Sequence, residues 1–434
     1  LFTNLGFGWE YIQYHYHKLF IWLAALITNI FGFNLYLLRL FIFVFAIIII
    51  YYLQKIGKEN HNFNINDRIF LIILLLTQYH FFNFSFIFRP EIPVAATGLL
   101  SYYFLHKFQS KKNTYFLLLS AFFAGCSALF HLNGLFFIFS GFTYLIFNKQ
   151  KKNSLIFLVT SGIITLFYFL NITSIEDLNK FIYQFTNDPN LSNDDFSFFQ
   201  KIIQLFKEHQ RFFHSPKEII LSILFFFLLI INYKVTFKEN KSLIQYTLIL
   251  LLFMSVIVHN KTDKYIVLYL PFFILNIVYF LKQNNENKLI KNLKVFLITM
   301  YFVLNWIFNF NLIFKNDNLL ENNSFYSSKL EKKNVIVLSH ENFVFNEIKN
   351  FKIVSYLCFE LYQKRIKNSV NYGNDYFEFA KAINANYIII ENNKRYKQIL
   401  KFINYSQLKI DDKISNYKVI HIDKKVVILC KKDQ

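Results

Sequence analysis

Apolar residues recur along the first three quarters of the chain in runs of about twenty, separated by short stretches that hold most of the charge. A helix needs about 20 residues to cross ~30 Å of hydrocarbon, so these runs read as membrane spans. The pattern predicts ten of them, near residues 36–54, 68–88, 92–108, 114–130, 133–148, 154–172, 217–233, 242–258, 265–281 and 293–314. Residues 19–33 are apolar but short and end at Gly32, which suits an interfacial helix. Residues 1–18 are polar-aromatic and too broken to span.

Two interruptions carry more information than the runs. In Phe86-Ile87-Phe88-Arg89-Pro90-Glu91-Ile92-Pro93 a cation and a carboxylate lie between two apolar stretches. A charge at mid-membrane costs about 2.5–3.5 kcal/mol, so Arg89 and Glu91 belong at a membrane face or in a polar cavity. Pro90 disfavours helical geometry at Arg89, and Pro93 suits the first turn of the next helix, giving a tight hairpin that presents both charges. The second interruption is the long connection 173–216. Its segment Phe196–Phe213 places Phe198, Ile202, Leu205, Phe206, His209 and Phe213 at three- and four-residue spacing. That predicts an amphipathic helix, on the membrane surface, over a cavity mouth or packed on its own bundle.

After Phe314 the period changes. Residues 315–333 read as a polar linker, and 334–434 alternate strand and helix patterns. Val335–Leu338, Tyr387–Ile390, Tyr417–Ile422 and Val426–Leu429 read as strands, with Asp423-Lys424 turning the last two into a hairpin. Asp375–Ala385 and Lys394–Asn404 read as helices. About a hundred residues suffice for a small α/β domain. The expected architecture is therefore a polytopic α-helical membrane domain over 1–314, a linker, and an α/β domain over 334–434.

Composition agrees: 55% of residues are hydrophobic and 21% aromatic. The 58 Phe and 28 Tyr, with abundant Ile, Asn and Lys, reflect codon bias rather than a ligand box. A net charge of +20 would suggest nucleic acid in a soluble protein, but here the basic residues among the apolar runs sit mainly in short connections. One alternate set of connections, starting with Lys55, Lys58 and Arg68, carries roughly twice as many as the other. That set is expected in the cytoplasm, which places the Arg89 hairpin, the long connection and the tail domain outside the plasma membrane. Cys126 lies in a span, and Cys358 and Cys430 would pair only if the fold brought them together.

The ionisable residues at the outward ends of spans are Arg39, Arg89, Glu91, His131, His259, Lys261, Asp263 and Lys264, with Glu10, His15 and His17 before the first span. A guanidinium grips phosphate through paired charge-assisted hydrogen bonds, lysine adds a point charge, and a carboxylate takes a proton or orients a hydroxyl. Each is also a residue type that anchors span ends at headgroups. His15-Tyr16-His17 makes a weak metal motif, because alternate residues share a face only on a strand, so no metal or other cofactor is expected. His131-Leu132-Asn133-Gly134 reads as a tight outer turn.

Tyr16–Leu26, with Trp22 inside it, followed by Phe31-Gly32 and Arg39-Leu40, resembles the stretch after the first outer loop in GT-C membrane glycosyltransferases. The similarity is to the branch of protein O-mannosyltransferases and the aminoarabinose transferase of lipid A. Arg89-Pro90-Glu91 resembles that family's outward Arg/Pro/acid segment, and Lys264–Pro271 its Lys-x-x-Tyr-x-Leu-Pro segment. His17-Lys18 stands where the family has Pro-Pro. The resemblance implies transfer of a sugar from a polyprenyl-phosphate donor to a glycan, lipid or protein acceptor on the outer face, with no nucleotide and no nucleic-acid partner. It implies donor-phosphate contacts from Arg89 and Lys264, with Lys261 and Tyr265 beside them, and a carboxylate base. The family's acidic motif lies in the first outer loop after a first span, both expected upstream of or cut by Leu1, so Glu10 is the acid remaining there and Glu91 the second candidate. His131, His17 and Arg39 complete the expected site. The competing expectations are a transporter or flippase of a lipid-linked substrate and an inactive GT-C-like scaffold.

Overall fold

The computed structural model describes residue 14 and residues 17–186, 198–234, 241–258, 261–283, 288–314, 318–331, 335–363 and 372–432. They form two compact units, divided near residue 316.

The larger unit is a helical bundle, and each predicted span is helical within it, two of them in more than one piece. Helix α1 is Lys18–Phe31, α2 Leu35–His61, α3 Ile65–Thr77, α4 Tyr79–Phe84, α5 Glu91–Lys111, α6 Thr114–Phe130, α7 Leu135–Phe147 and α8 Lys151–Leu166. The long connection holds α9 Ile175–Thr186, α10 Phe198–Lys207 and α11 His209–Phe212. Then follow α12 Pro216–Ile231, α13 Lys241–Ile257, a 3-10 segment Asp263–Leu268, α14 Leu270–Leu281 and α15 Lys288–Ile313.

Asparagines set many of the boundaries. Asn34 caps α2, and Asn113 caps α6. Asn64 and Asp67 form a reciprocal capping box at the start of α3. At the other end of α2, Asn62 takes the left-handed conformation with φ 51° that stops a helix cleanly.

By length and composition, α2, α15 and the stretch Lys151–Phe169 would each cross a membrane alone. Residues Ile202–Phe212 and Pro216–Ile231 qualify as one span bent by 107°. The helices of the other predicted spans are shorter or more polar, and some of them lie deep inside the bundle. Helix α5 is the clearest case, with every residue from Glu91 to Tyr103 buried. A Cβ at Gly98 would sit 2.0 Å from the Phe137 ring, so glycine there lets α7 approach.

The predicted span 68–88 is broken at Gln78. Side chains of α15 satisfy the backbone that the break frees: Asn305 Oδ1 accepts from Tyr79 N (2.9 Å), Asn309 Nδ2 donates to Thr77 O (2.8 Å) and the Tyr301 hydroxyl donates to Leu74 O (2.8 Å). The single amphipathic helix expected over 196–213 is two, α10 and α11, which meet at Glu208.

The smaller unit is a six-stranded sheet: β1 Ile336–Ser339, β2 Lys352–Ser355, β3 Tyr387–Glu391, β4 Lys413–Ile414, β5 Tyr417–Ile422 and β6 Val426–Lys431. Their order is β2-β1-β3-β6-β5-β4, parallel among the first three and antiparallel beyond. Alternate residues feed two cores, Leu338, Ile388 and Leu429 on one face and Val337, Ile389 and Ile428 on the other. The stretch expected as a linker carries helix α16, Leu319–Ser328, whose Tyr326 is buried with Leu330 in the second core. Cys358 packs in the first core and Cys430 against the second, and the two do not pair with each other.

Candidate functional site

One end of the bundle gathers the hairpin before α5, the 3-10 turn Leu132–Gly134, helix α11, the first turn of α12 and the segment Asp263–Leu268. That segment packs against α4, α5 and α11, so it joins residues far apart in sequence.

Glu91 opens α5 and is 1% exposed. It is tolerated there because Arg89 grips both oxygens: Nε donates to Oε1 at 3.2 Å and Oε2 at 3.1 Å, and Nη2 to Oε1 at 2.5 Å. The Arg89 side chain stays 39% exposed. Glu91 thus fixes the guanidinium in place, and both its oxygens are engaged, which fits an orienting role rather than the base expected from the sequence.

The Lys264 ammonium lies 5.0 Å from the centroid of the Tyr265 ring. Burial and the neighbouring Arg89 push its pKa below that of an ordinary lysine, while Glu91 and Asp263 pull the other way. Tyr265 meets His131 edge-on at 6.0 Å, and His131 stacks on His17 at 4.2 Å. His131 Nδ1 also accepts from Asn133 N, which forms the tight turn the sequence suggested. Arg89, Glu91, Lys264, Tyr265, His131 and His17 therefore form one continuous set of neighbours.

Lys261 belongs to a different network. Its Nζ donates to Glu208 Oε2 (2.8 Å) and to the carbonyls of Ser255 (2.6 Å) and Val258 (3.1 Å) at the end of α13. Glu208 also accepts from Arg211 Nε (2.8 Å) and the Tyr269 hydroxyl (2.8 Å). Arg211 is fully buried, donates to Thr262 O at 3.3 Å and lies over the Tyr265 ring at 5.5 Å. Lys261 is thus tied to Glu208 and the end of α13 rather than to the Arg89 set. Arg39 is exposed on α2, and no ion pair reaches it among the described residues. Glu10, His15 and His259 lie outside the described residues.

Sequence reasoning missed Glu208 and Arg211, and with them His80 and Glu218, whose Nε2 and Oε1 lie 2.5 Å apart with both side chains buried. The available signal was the Glu208/Arg211 spacing of three beside Phe212, on a helix otherwise read as a surface element. Beside this network opens a pocket of about 590 Å³, lined by His209, Gln210, Phe213, His214, Lys261, Thr262 and Asp263.

The model of the dolichyl-phosphate-mannose-protein mannosyltransferase family matches residues 18–173. The GT-C resemblance is borne out. The matched stretch contains Arg89, Glu91, His131 and His80 and stops before Glu208. Over the whole chain, the structure is similar to the crystal structure of ArnT from Cupriavidus metallidurans bound to undecaprenyl phosphate, with a TM-score of 0.61 and 11% identity. That likeness covers 96% of this chain and 88% of the other, and at such identity it is one of fold. No curated protein matches the sequence. The ArnT-like fold and the long apolar helices are consistent with a multi-pass membrane protein.

Proposed function

We propose that this chain transfers a sugar from a polyprenyl-phosphate donor to an acceptor hydroxyl at the outer face of the membrane. The observation that carries this reading is the Arg89 guanidinium, locked by buried Glu91, left partly exposed and set beside Lys264. Two fixed cations at a bundle end suit a lipid phosphate entering from the bilayer, and the similar ArnT structure was solved with undecaprenyl phosphate. In the reaction the acceptor oxygen attacks the anomeric carbon as its bond to the donor phosphate breaks. The leaving polyprenyl phosphate keeps the electron pair and gains negative charge, which Arg89 and Lys264 stabilise where it develops. The acceptor's proton passes to a carboxylate. The resemblance puts that base in the first outer loop, where Glu10 is the acid present.

The test is reconstitution of the full chain with synthetic polyprenyl-phosphate pentoses and hexoses, following release of free polyprenyl phosphate. Arg89→Ala is expected to lower the rate at least about 100-fold, the scale of losing one donor to a developing oxyanion, with Arg89→Lys intermediate. Unchanged turnover per folded molecule in Arg89→Ala would remove this site from the reaction.

A further inference from the structure

Three side chains from three separate elements converge next to the donor site. His80 is the second residue of α4, Glu218 the third of α12, and Asp263 opens the 3-10 segment that carries Lys264 and Tyr265. The imidazole nitrogen and carboxylate oxygens they offer all lie within 4.8 Å of one another. His80 is 1% exposed and Glu218 is fully buried, whereas Asp263 is part-exposed and lines the pocket beside α11.

We infer that His80, Glu218 and Asp263 form a binding site for a divalent metal ion of the zinc class, with its open coordination position facing that pocket. One imidazole and two carboxylates are ligands such an ion accepts, and three protein ligands with a fourth position left to an exogenous oxygen is the pattern of a reactive rather than a sealed site. The Lys217 ammonium lies 3.8 Å from Glu218 Oε1 and 3.8 Å from Asp263 Oδ2, beyond direct hydrogen bonds, and so does not close the site. It rests instead over the Tyr79 ring at 3.8 Å. The Ser215 hydroxyl donates to Glu218 Oε2 and leaves Oε1 directed at His80, an outer hydrogen bond of the kind that orients a ligating carboxylate.

To admit the ion, His80 Nε2 and Glu218 Oε1 spread from 2.5 Å to roughly 3.3 Å, the separation that bonds of about 2.0–2.1 Å impose in a tetrahedral site. The bound ion then ties the outer ends of α4 and α12 to the segment bearing Lys264 and Tyr265. It also offers an oxygen ligand, whether water, hydroxyl or phosphate, a position reached from the pocket. The rival reading is a direct His80–Glu218 hydrogen bond that needs no ion.

Cobalt(II) distinguishes the two and requires neither donor nor acceptor, so the result stands apart from the sugar-transfer reading. The full chain is purified in detergent, stripped with a chelator and titrated with Co²⁺. One equivalent should bring up the intense visible bands of a four-coordinate ion, and Zn²⁺ should abolish them. His80→Ala and Asp263→Asn should each weaken Co²⁺ binding about 100-fold or more. Lys217→Met should tighten it, because the competing ammonium is gone. Asp263 is the ligand nearest solvent, so its variant decides the matter if His80→Ala does not fold. Absence of the bands in the wild-type chain, or bands unchanged in both ligand variants, overturns the assignment.

Discussion

Lys264 and Arg89 differ in a way that pH exposes. Arg89 keeps its charge at any accessible pH, but burial and the nearby guanidinium hold the Lys264 pKa below the ordinary lysine value. The sign follows directly: the ammonium is present at low pH and lost on the alkaline side, earlier than for a solvated lysine. A bound phosphate favours the charged form, so the alkaline decline should come at lower pH for kcat/KM, which reports the free enzyme, than for kcat. Lys264→Arg should remove that limb while retaining activity, and pH–rate profiles of the two proteins check it. Identical profiles would mean that Lys264 only anchors the segment. The sequence exposed this residue because a charge beside an apolar run must sit at an interface or be satisfied. The same rule drew in Lys261 and Arg39, because it locates a charge along the membrane normal but not around the bundle. It passed over Glu208 and Arg211, since in a long connection nothing in the sequence says which polar residues turn inward.

The break between α3 and α4 shows where hydrophobic patterning stops being informative. Leu76-Thr77-Gln78-Tyr79-His80 contains neither Pro nor Gly, and local signals give no reason to interrupt the helix. The interruption is supported from α15, more than two hundred residues later, by Asn305 and Asn309. Asn305→Leu would leave the Tyr79 N–H without its acceptor in an apolar setting, a loss of about 1–3 kcal/mol. The expected result is a lower thermal midpoint in detergent, whereas the same change at exposed Trp306, one position along the helix, should leave it within experimental error. Helix existence was legible from the pattern, since each predicted span is helical. Breaks, and short elements such as β2 with four residues, were not, because tertiary partners rather than local sequence stabilise them. The split of the expected 196–213 helix at Glu208 has the same origin: that carboxylate is held by Lys261 and Tyr269 of a distant segment.

The bundle has two chemically different ends, and which one faces outward governs the proposed reaction. At one end lie Arg89, Glu91, Lys264, Glu208 and Arg211. At the other, Lys107 pairs with Glu59 at 2.9 Å and Lys282 with Asp67 at 3.5 Å, among the short connections that hold most of the basic residues. Lysine-rich short connections stay in the cytoplasm, so the Arg89 end should face outward, where a lipid-linked sugar presented on the outer leaflet would meet it. Single cysteines test this in a chain whose Cys126, Cys358 and Cys430 are replaced by serine. Introduced at Asn153, in the first turn of α8 beside a basic connection, or at Asn284, in the next basic stretch of the sequence but one, a cysteine should be shielded from a membrane-impermeant thiol reagent in intact cells and react once the cells are opened. Introduced at Asn190, in the long connection between α9 and α10, it should react from outside. The reverse labelling would put the Arg89 end in the cytoplasm, and a donor presented on the outer leaflet would then be out of reach. Labelling of all three from outside would contradict the bundle itself, because α8 runs from Asn153, in its first turn, towards the connection holding Asn190.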